Sequence, residues 1–259
     1  MAKINNKILV KLQNYCGVVL LLLLPSICIA VAATNNSTSD VKSPRCNGTC
    51  GKLKVPYPFG IDDKDCAKDK EFLLTCNRSF SPPKLILGEN IEVLDISVEN
   101  GTMSVSIDSA YKCYNESSLT ASFDQNITLG NKNPYTFSSS ENKLIGLGCD
   151  TLAFMNDADG KFGSGCISLC SDKVDLAAEG SCSGIGCCQT SLPKNLKSLE
   201  ITLITSPNQS DVLTFNPCGF AFLVDQRTFN ISNMRLDFRP ETVENPSVLL
   251  DWMVGEEKC

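Results

Sequence analysis

The clearest pattern in the chain is the alternation of apolar and polar positions over residues 91–107, IEVLDISVENGTMSVSI. Asn100-Gly101 is a favoured two-residue hairpin turn, because both positions tolerate positive φ. Folding the chain there sets Val98 opposite Met103, Ile96 opposite Val105 and Leu94 opposite Ile107, all on one face. The pairs Asp95–Ser106, Ser97–Ser104 and Glu99–Thr102 fall on the other face, and a slip of one residue would destroy that agreement. Further strands are predicted at NKLIGLGC (142–149), LEITLIT (199–205), VLTF (212–215), GFAFLVD (219–225) and VLLDWMV (248–254), separated by turn-forming residues. Helical periodicity is confined to two short stretches, KVDLAAEG (173–180) and LPKNLK (192–197). The pattern predicts a mainly β protein, sandwich-like, with few short helices and two small modules. A boundary near residues 109–115 gives modules over 46–108 and 109–259, with Cys113 fitting either.

Residues 46–61, CNGTCGKLKVPYPFGI, alternate in a different way. As a strand this stretch would place Leu53, Val55, Tyr57 and Phe59 on one face, and Lys52, Lys54, Pro56 and Pro58 on the other. The apolar face is expected in the core, Tyr57 and Phe59 included. Two prolines remove two backbone donors, so the segment is an edge strand or irregular extended chain, and the isomer at Tyr57-Pro58 stays open. Edge lysines also guard against aggregation. The basic rim therefore reads either as a structural edge or as a ligand surface.

The leader changes the picture. Lys3, Lys7 and Lys11 precede a short apolar run at 18–24, and Ala30-Val31-Ala32 forms a cleavage-like site, so residues 1–33 read as a secretory signal peptide. Polar residues 34–45 read as a disordered tether. Fifteen cysteines, less Cys16 and Cys28 in the leader, leave thirteen in a disulfide-permissive compartment. The odd one is expected to be Cys259 at the end of the chain. Cys46, Cys50, Cys66, Cys76, Cys113, Cys149, Cys166, Cys170, Cys182, Cys187, Cys188 and Cys218 then form six bridges of unknown pairing. The neighbours Cys187 and Cys188 are expected to take different partners. Sequons begin at Asn35, Asn36, Asn47, Asn77, Asn100, Asn115, Asn126, Asn208 and Asn230, which points to an N-glycosylated surface.

Charge is uneven. Residues 42–84 hold nine basic and five acidic side chains, a balance of +4, whereas 85–259 hold eleven basic and twenty-three acidic, a balance of −12. The first segment could meet a polyanion that the second would repel. The chain has no histidine, which removes Ser-His, Cys-His and His-metal constellations. No motif singles out a carboxylate pair for glycosidase chemistry, so the chain is not expected to be an enzyme. The acidic run NDADG (156–160) fails the EF-hand pattern, with Met155 and Cys166 at the first and twelfth ligand positions, and no metal site is expected.

The opening cysteine run with Cys66, FLLTCN (72–77) and the NGT turn resembles the galacturonan-binding module of plant wall-associated receptor kinases. GLGCDTLAFM (146–155), GCISLC (165–170), GSCSGIGCCQTSLP (180–193), NPCGFAFLVD (216–225) and LLDWMVGEEKC (249–259) resemble the cysteine-rich region that follows it. The resemblance implies extracellular, non-catalytic binding of acidic cell-wall polysaccharide, pectin or galacturonan. The chain would act as a receptor-kinase ectodomain or as a secreted truncated form. The family's EGF-like repeats, transmembrane helix and kinase would lie beyond Cys259, so this chain carries no membrane span of its own. The alternative is a protein- or peptide-binding ectodomain without direct pectin contact. Nucleic acid is not an expected partner and protein partners are unknown.

Galacturonate units carry carboxylates, so a binder needs cations for charge and flat apolar faces for the rings. The candidate cations are Arg45, Lys52, Lys54, Lys64, Lys68 and Lys70. Arg45 could pair bidentately with a carboxylate, whereas the lysines would act as point charges. Each exposed contact is weak, and affinity would come from several along a polymer. No cofactor is expected, and calcium would enter only through the pectin ligand.

Overall fold

Period-two alternation becomes strand wherever two neighbouring strands can also cover one face. The structure, a computed structural model, describes residues 46, 48–115, 118–130, 132, 134–170, 181–205 and 212–255. The leader and tether, Arg45, the helical stretch at 173–180, Cys259 and the sequons at Asn35, Asn36, Asn47 and Asn208 lie outside the described residues. The described residues belong to one compact unit. Among them no helix is long and apolar enough to cross a membrane.

Four sheets carry the fold. The largest has the order β11 (Tyr135–Phe137), β18 (Ser247–Trp252), β7 (Thr102–Ser106), β6 (Ile91–Ser97), β5 (Lys84–Leu87), β4 (Leu73–Asn77) and β3 (Gly60–Ile61). A four-stranded sheet runs β10 (Gln125–Thr128), β16 (Ser198–Thr205), β13 (Thr151–Asn156), β14 (Gly163–Ser168). A five-stranded sheet runs β15 (Cys187–Ser191), β12 (Asn142–Leu147), β17 (Cys218–Asp225), β8 (Ala110–Asn115), β9 (Ser118–Phe123). A two-stranded ribbon pairs β1 (Thr49–Cys50) with β2 (Leu53–Lys54). Among the described strands the pairings are antiparallel except β3 with β4, and an isolated parallel bridge joins Leu169 and Ile185.

The main core joins three sheets. Leu85, Val93, Met103, Val105, Val248 and Leu250 of the largest sheet share one buried cluster with Met155, Leu199, Ile201 and Leu203 of the four-stranded sheet. Leu144, Ala221 and Leu223 of the five-stranded sheet close the same cluster. The other face of that sheet buries Ile145, Leu147, Phe220, Phe222 and Val224 in a second cluster, with Val212, Ile231 and Leu236 from flanking loops. This double coverage explains why GFAFLVD shows no alternation: every residue of β17 is buried. Asn142, fully buried, ties two sheets together. Its amide nitrogen donates to the Leu249 carbonyl at 2.6 Å, and its oxygen accepts from the Leu249 N–H at 2.9 Å.

The hairpin at 91–107 differs from its expected register. Ile96 faces Met103, Asp95 faces Ser104 and Val93 faces Val105. The turn spans four residues, with Gly101 N–H donating to the Val98 carbonyl at 3.3 Å and Gly101 at φ 62°. A bulge between Val93 and Asp95 absorbs Leu94. The physical reason is phase: Ile91 and Val93 are odd-numbered and Ile96 even, so only an extra residue lets all three meet the core. Leu94 and Val98, expected inside, are exposed.

Two other expectations are overturned. Residues 212–215 form a turn that tucks Val212 into the second cluster, closed by Asn216 N–H to Val212 O at 2.7 Å. Buried Asn216 fixes it by accepting from Cys149 N–H at 2.6 Å and donating to the carbonyls of Cys218 at 2.7 Å and Leu236 at 3.0 Å. Residues 192–197 are not helical. Asn195 sits at φ 62°, which breaks a helix and lets Leu192 and Leu196 be buried separately.

Six disulfides use the twelve cysteines: Cys46–Cys66, Cys50–Cys76, Cys113–Cys218, Cys149–Cys170, Cys166–Cys188 and Cys182–Cys187. The adjacent Cys187 and Cys188 thus take different partners, Cys182 and Cys166. The acidic run at 156–160 closes as a turn, with Asp157 Oδ1 accepting from Phe162 N–H at 3.0 Å and Lys161 paired to Asp159.

Candidate functional site

Two disulfides and a few backbone bonds hold the lysine-bearing loops of residues 48–70. Cys50–Cys76 fastens β1 to β4, and Cys46–Cys66 fastens the segment just ahead of β1 to a 3-10 turn at Lys64–Cys66. Val55 N–H donates to Gly48 O at 2.8 Å and Lys68 N–H to Pro58 O at 2.9 Å. Gly60 has to be glycine, because a Cβ there would meet Ala67 N and Cys66 C at 2.5 Å. Asp62 anchors the exit: one oxygen accepts from Cys76 N–H at 2.9 Å, and the other pairs with Arg78 at 2.8 Å.

The alternation expected for 53–59 stops at β2. The Tyr57-Pro58 bond is cis, and Phe59 N–H closes a turn on Pro56 O at 3.0 Å. The reversal buries Pro58 and Phe59 and leaves Tyr57 52 % exposed. Tyr57 was expected in the core and is a surface residue instead. Phe59 packs into an aromatic cluster, 4.8 Å from Trp252 and 5.4 Å from Phe72 by ring centroids. Tyr135 completes it. Burial pushes its phenol well above the usual range, with Asp69 adding to the rise, and its hydroxyl donates to Glu71 O at 3.2 Å.

Lys52, Lys54, Lys64, Lys68 and Lys70 are all exposed, on the β1–β2 turn, β2, two consecutive 3-10 turns and the link between them. Among the described residues, no ion pair engages Lys52, Lys54, Lys64 or Lys68, and Lys70 makes only a 3.7 Å contact with Glu71. The face is not uniformly cationic, because residues 52–71 hold five lysines and five carboxylates. Three of those carboxylates are committed locally. Asp62 holds Arg78, while Asp63 and Asp69 cap the 3-10 turns by accepting from Asp65 and Glu71 N–H at 3.0 Å. The lysines thus keep free donors beside partly occupied acids.

A second exposed aromatic lies at the rim. Phe80 is 46 % exposed, with Lys84 Nζ 4.9 Å from its ring centroid and also paired to Glu92 at 2.7 Å. The turn carrying Lys52 rests on this rim, since a Cβ on Gly51 would meet Pro83 O at 2.5 Å. Sequence reasoning passed over Tyr57 and Phe80 as surface rings. The available signal was flanking proline, at 56 and 58 around Tyr57 and at 82 and 83 after Phe80, which breaks the strand period that would otherwise turn a ring inward.

Residues 46–107 match the family model described as wall-associated receptor kinase galacturonan-binding, and residues 179–257 match the one described as wall-associated kinase. Wall-associated receptor kinase 2 of Arabidopsis thaliana is 33% identical over 219 residues, covering 83% of this chain and 28% of the relative. Wall-associated receptor kinase 3 of the same plant is 32% identical over 230 residues, covering 83% of this chain and 30% of its own length. Wall-associated receptor kinase-like 5 is 32% identical over 220 residues, covering 78% and 28%. The chain thus spans under a third of the length of these relatives. No solved structure matches it.

Proposed function

The chain belongs to the wall-associated receptor kinase family, and on that premise we propose that it binds acidic cell-wall polysaccharide through residues 46–107 without chemistry of its own. Its location is extracellular, facing the cell wall. The observation that carries the reading is coincidence: the galacturonan-binding match covers the segment that holds the exposed lysines at 52, 54, 64, 68 and 70 and the exposed Tyr57. Galacturonate carboxylates would pair with Lys52, Lys54, Lys64, Lys68 and Lys70, and with Arg45 ahead of them. Tyr57 offers a ring face for a sugar between the charges. No cofactor is required, and calcium enters only with the polymer.

The test is binding of the secreted chain to oligogalacturonides, with and without calcium, over a salt series. Binding that weakens with salt and falls in a Lys52→Ala/Lys54→Ala chain supports the reading. A folded wild type that binds none of these ligands overturns it.

A protein-binding ectodomain is the second reading, favoured by an exposed apolar row on the four-stranded sheet. Ile204, Leu152 and Ile167 sit in register, with Ile204 and Ile167 more than half exposed and Leu169 and Ile185 beside them. Association through that row would persist at high salt and be indifferent to pectin esterification.

A further inference from the structure

The outer face of the five-stranded sheet carries a row of three aromatic rings that the main site does not use. Phe220, Tyr111 and Phe123 are cross-strand neighbours on β17, β8 and β9. Tyr111 lies 6.0 Å from Phe123 and 6.3 Å from Phe220 by ring centroids. Phe220 is buried, but the row climbs to the surface, and Phe123 on the outermost strand is 39 % exposed. Core packing accounts for Phe220 and not for an open phenylalanine at the sheet edge.

Beside the rings stands a polar edge. Asn245 Nδ2 donates to Asp108 Oδ1 at 2.7 Å, and Ser109 Oγ donates to Asn245 Oδ1 at 3.3 Å. These bonds hold the three groups in one array. They leave the second Asp108 oxygen to accept and the second Asn245 N–H to donate. Rings and array line one recess of about 270 Å³. That is just below the roughly 300–1,000 Å³ of pockets for drug-sized ligands, so it suits a single ring rather than a polymer segment.

We propose that this recess is a second carbohydrate site, and that its ligand is an uncharged pyranose. The apolar face of such a ring would lie on Tyr111 and Phe123, and its hydroxyls would meet Asp108 and Asn245. Charge selects the class. Among the described residues no lysine or arginine lines the recess, Asp108 supplies its one carboxyl side chain, and residues 85–259 carry a balance of −12. A uronate would face a carboxylate with no counter-charge, whereas a neutral sugar gives a carboxylate the hydroxyl donors it accepts best. The site is independent of the lysine surface and does not rest on that reading.

Saturation-transfer NMR on the full secreted chain tests this, with the methyl pyranosides of galactose, glucose, xylose and arabinose and with methyl galacturonate as probes. At least one neutral glycoside should receive saturation, strongest on one ring face, while methyl galacturonate shows none at this site. Phe123→Ala should weaken that binding by roughly ten-fold, the scale of losing one stacked ring. Lys52→Ala/Lys54→Ala should leave it unchanged, and Asp108→Asn should admit the uronate. Melting curves would establish that each variant is folded. The proposal falls if no neutral glycoside binds the folded wild type, if binding survives Phe123→Ala, or if galacturonate competes there equally well.

Discussion

Tyr57 and Phe59 are two residues apart and would share a face in any strand, yet one meets water and the other packs among Phe72, Tyr135 and Trp252. Phe59→Ala should cost about 3–5 kcal/mol, read by chemical denaturation, because it empties a site that Phe72 and Trp252 cannot fill. Tyr57→Ala should leave the melting curve within error and weaken oligogalacturonide binding several-fold; equal loss of stability in both would contradict the placement. Carboxylates divide in the same way. The Arg227 guanidinium beside buried Asp225, 2.7 Å away, holds that carboxyl below its usual range. Its contribution is present above the unfolded pKa of about 3.9 and is lost as pH falls through the lower folded value. Asp251 has the opposite sign, since burial pushes it up, Glu141 adds to the rise, and a bond from Ser138 and the nearby Arg227 only partly offset it. Its charged form therefore weakens the fold, and the penalty sets in as pH rises from about 3.9 through its raised value. Asp251→Asn should raise the unfolding midpoint at pH 7 and leave it unchanged at pH 3.

At the element scale, β18 decides more than its six residues suggest. It pairs with β7 and β11, so the sheet built on residues 46–107 is completed by a strand about 140 residues later in sequence. Trp252 at its end packs on Phe59, and Val248 and Leu250 are fully buried. A fragment of residues 46–107 alone would leave β7 as an unpaired edge over an open core. It should show an unfolded circular dichroism spectrum, with order recovered only in a chain that includes β18. The disulfides rank by loop length. Cys113–Cys218 joins directly opposed strand positions across 105 residues, and Cys182–Cys187 closes only 5. Replacing both cysteines of the long bridge with alanine should destabilise by about 2.7 kcal/mol more than doing so in the short one, by chain entropy. Strands with one covered face, such as LEITLIT, were legible from alternation. VLTF was not, because its apolar residues serve a loop that folds back on the second cluster. The hairpin was half legible: its apolar face was right in kind, and the bulge at Leu94 depended on where Ile91 and Val93 meet Leu85 and Leu87 across the sheet.

Across the whole molecule, charge and crosslinks set the terms of recognition. On the proposed reading, the surplus of +4 over residues 42–84 against −12 over residues 85–259 would steer a polyanion toward the lysine side. Affinity for polygalacturonate should fall as salt rises from about 0.05 to 0.5 M, while an interaction through the exposed isoleucines should not. The sequence by itself determined the β class, the cysteine inventory, the lysine-rich stretch and the family, because residue type and the two-residue strand period are local properties. Only the tertiary structure decided which cysteines pair, which ring of the 53–59 stretch faces solvent, where the hairpin slips, and that β18 closes the first sheet. Those outcomes depend on burial summed over strands far apart in the chain, and no local pattern carries that sum.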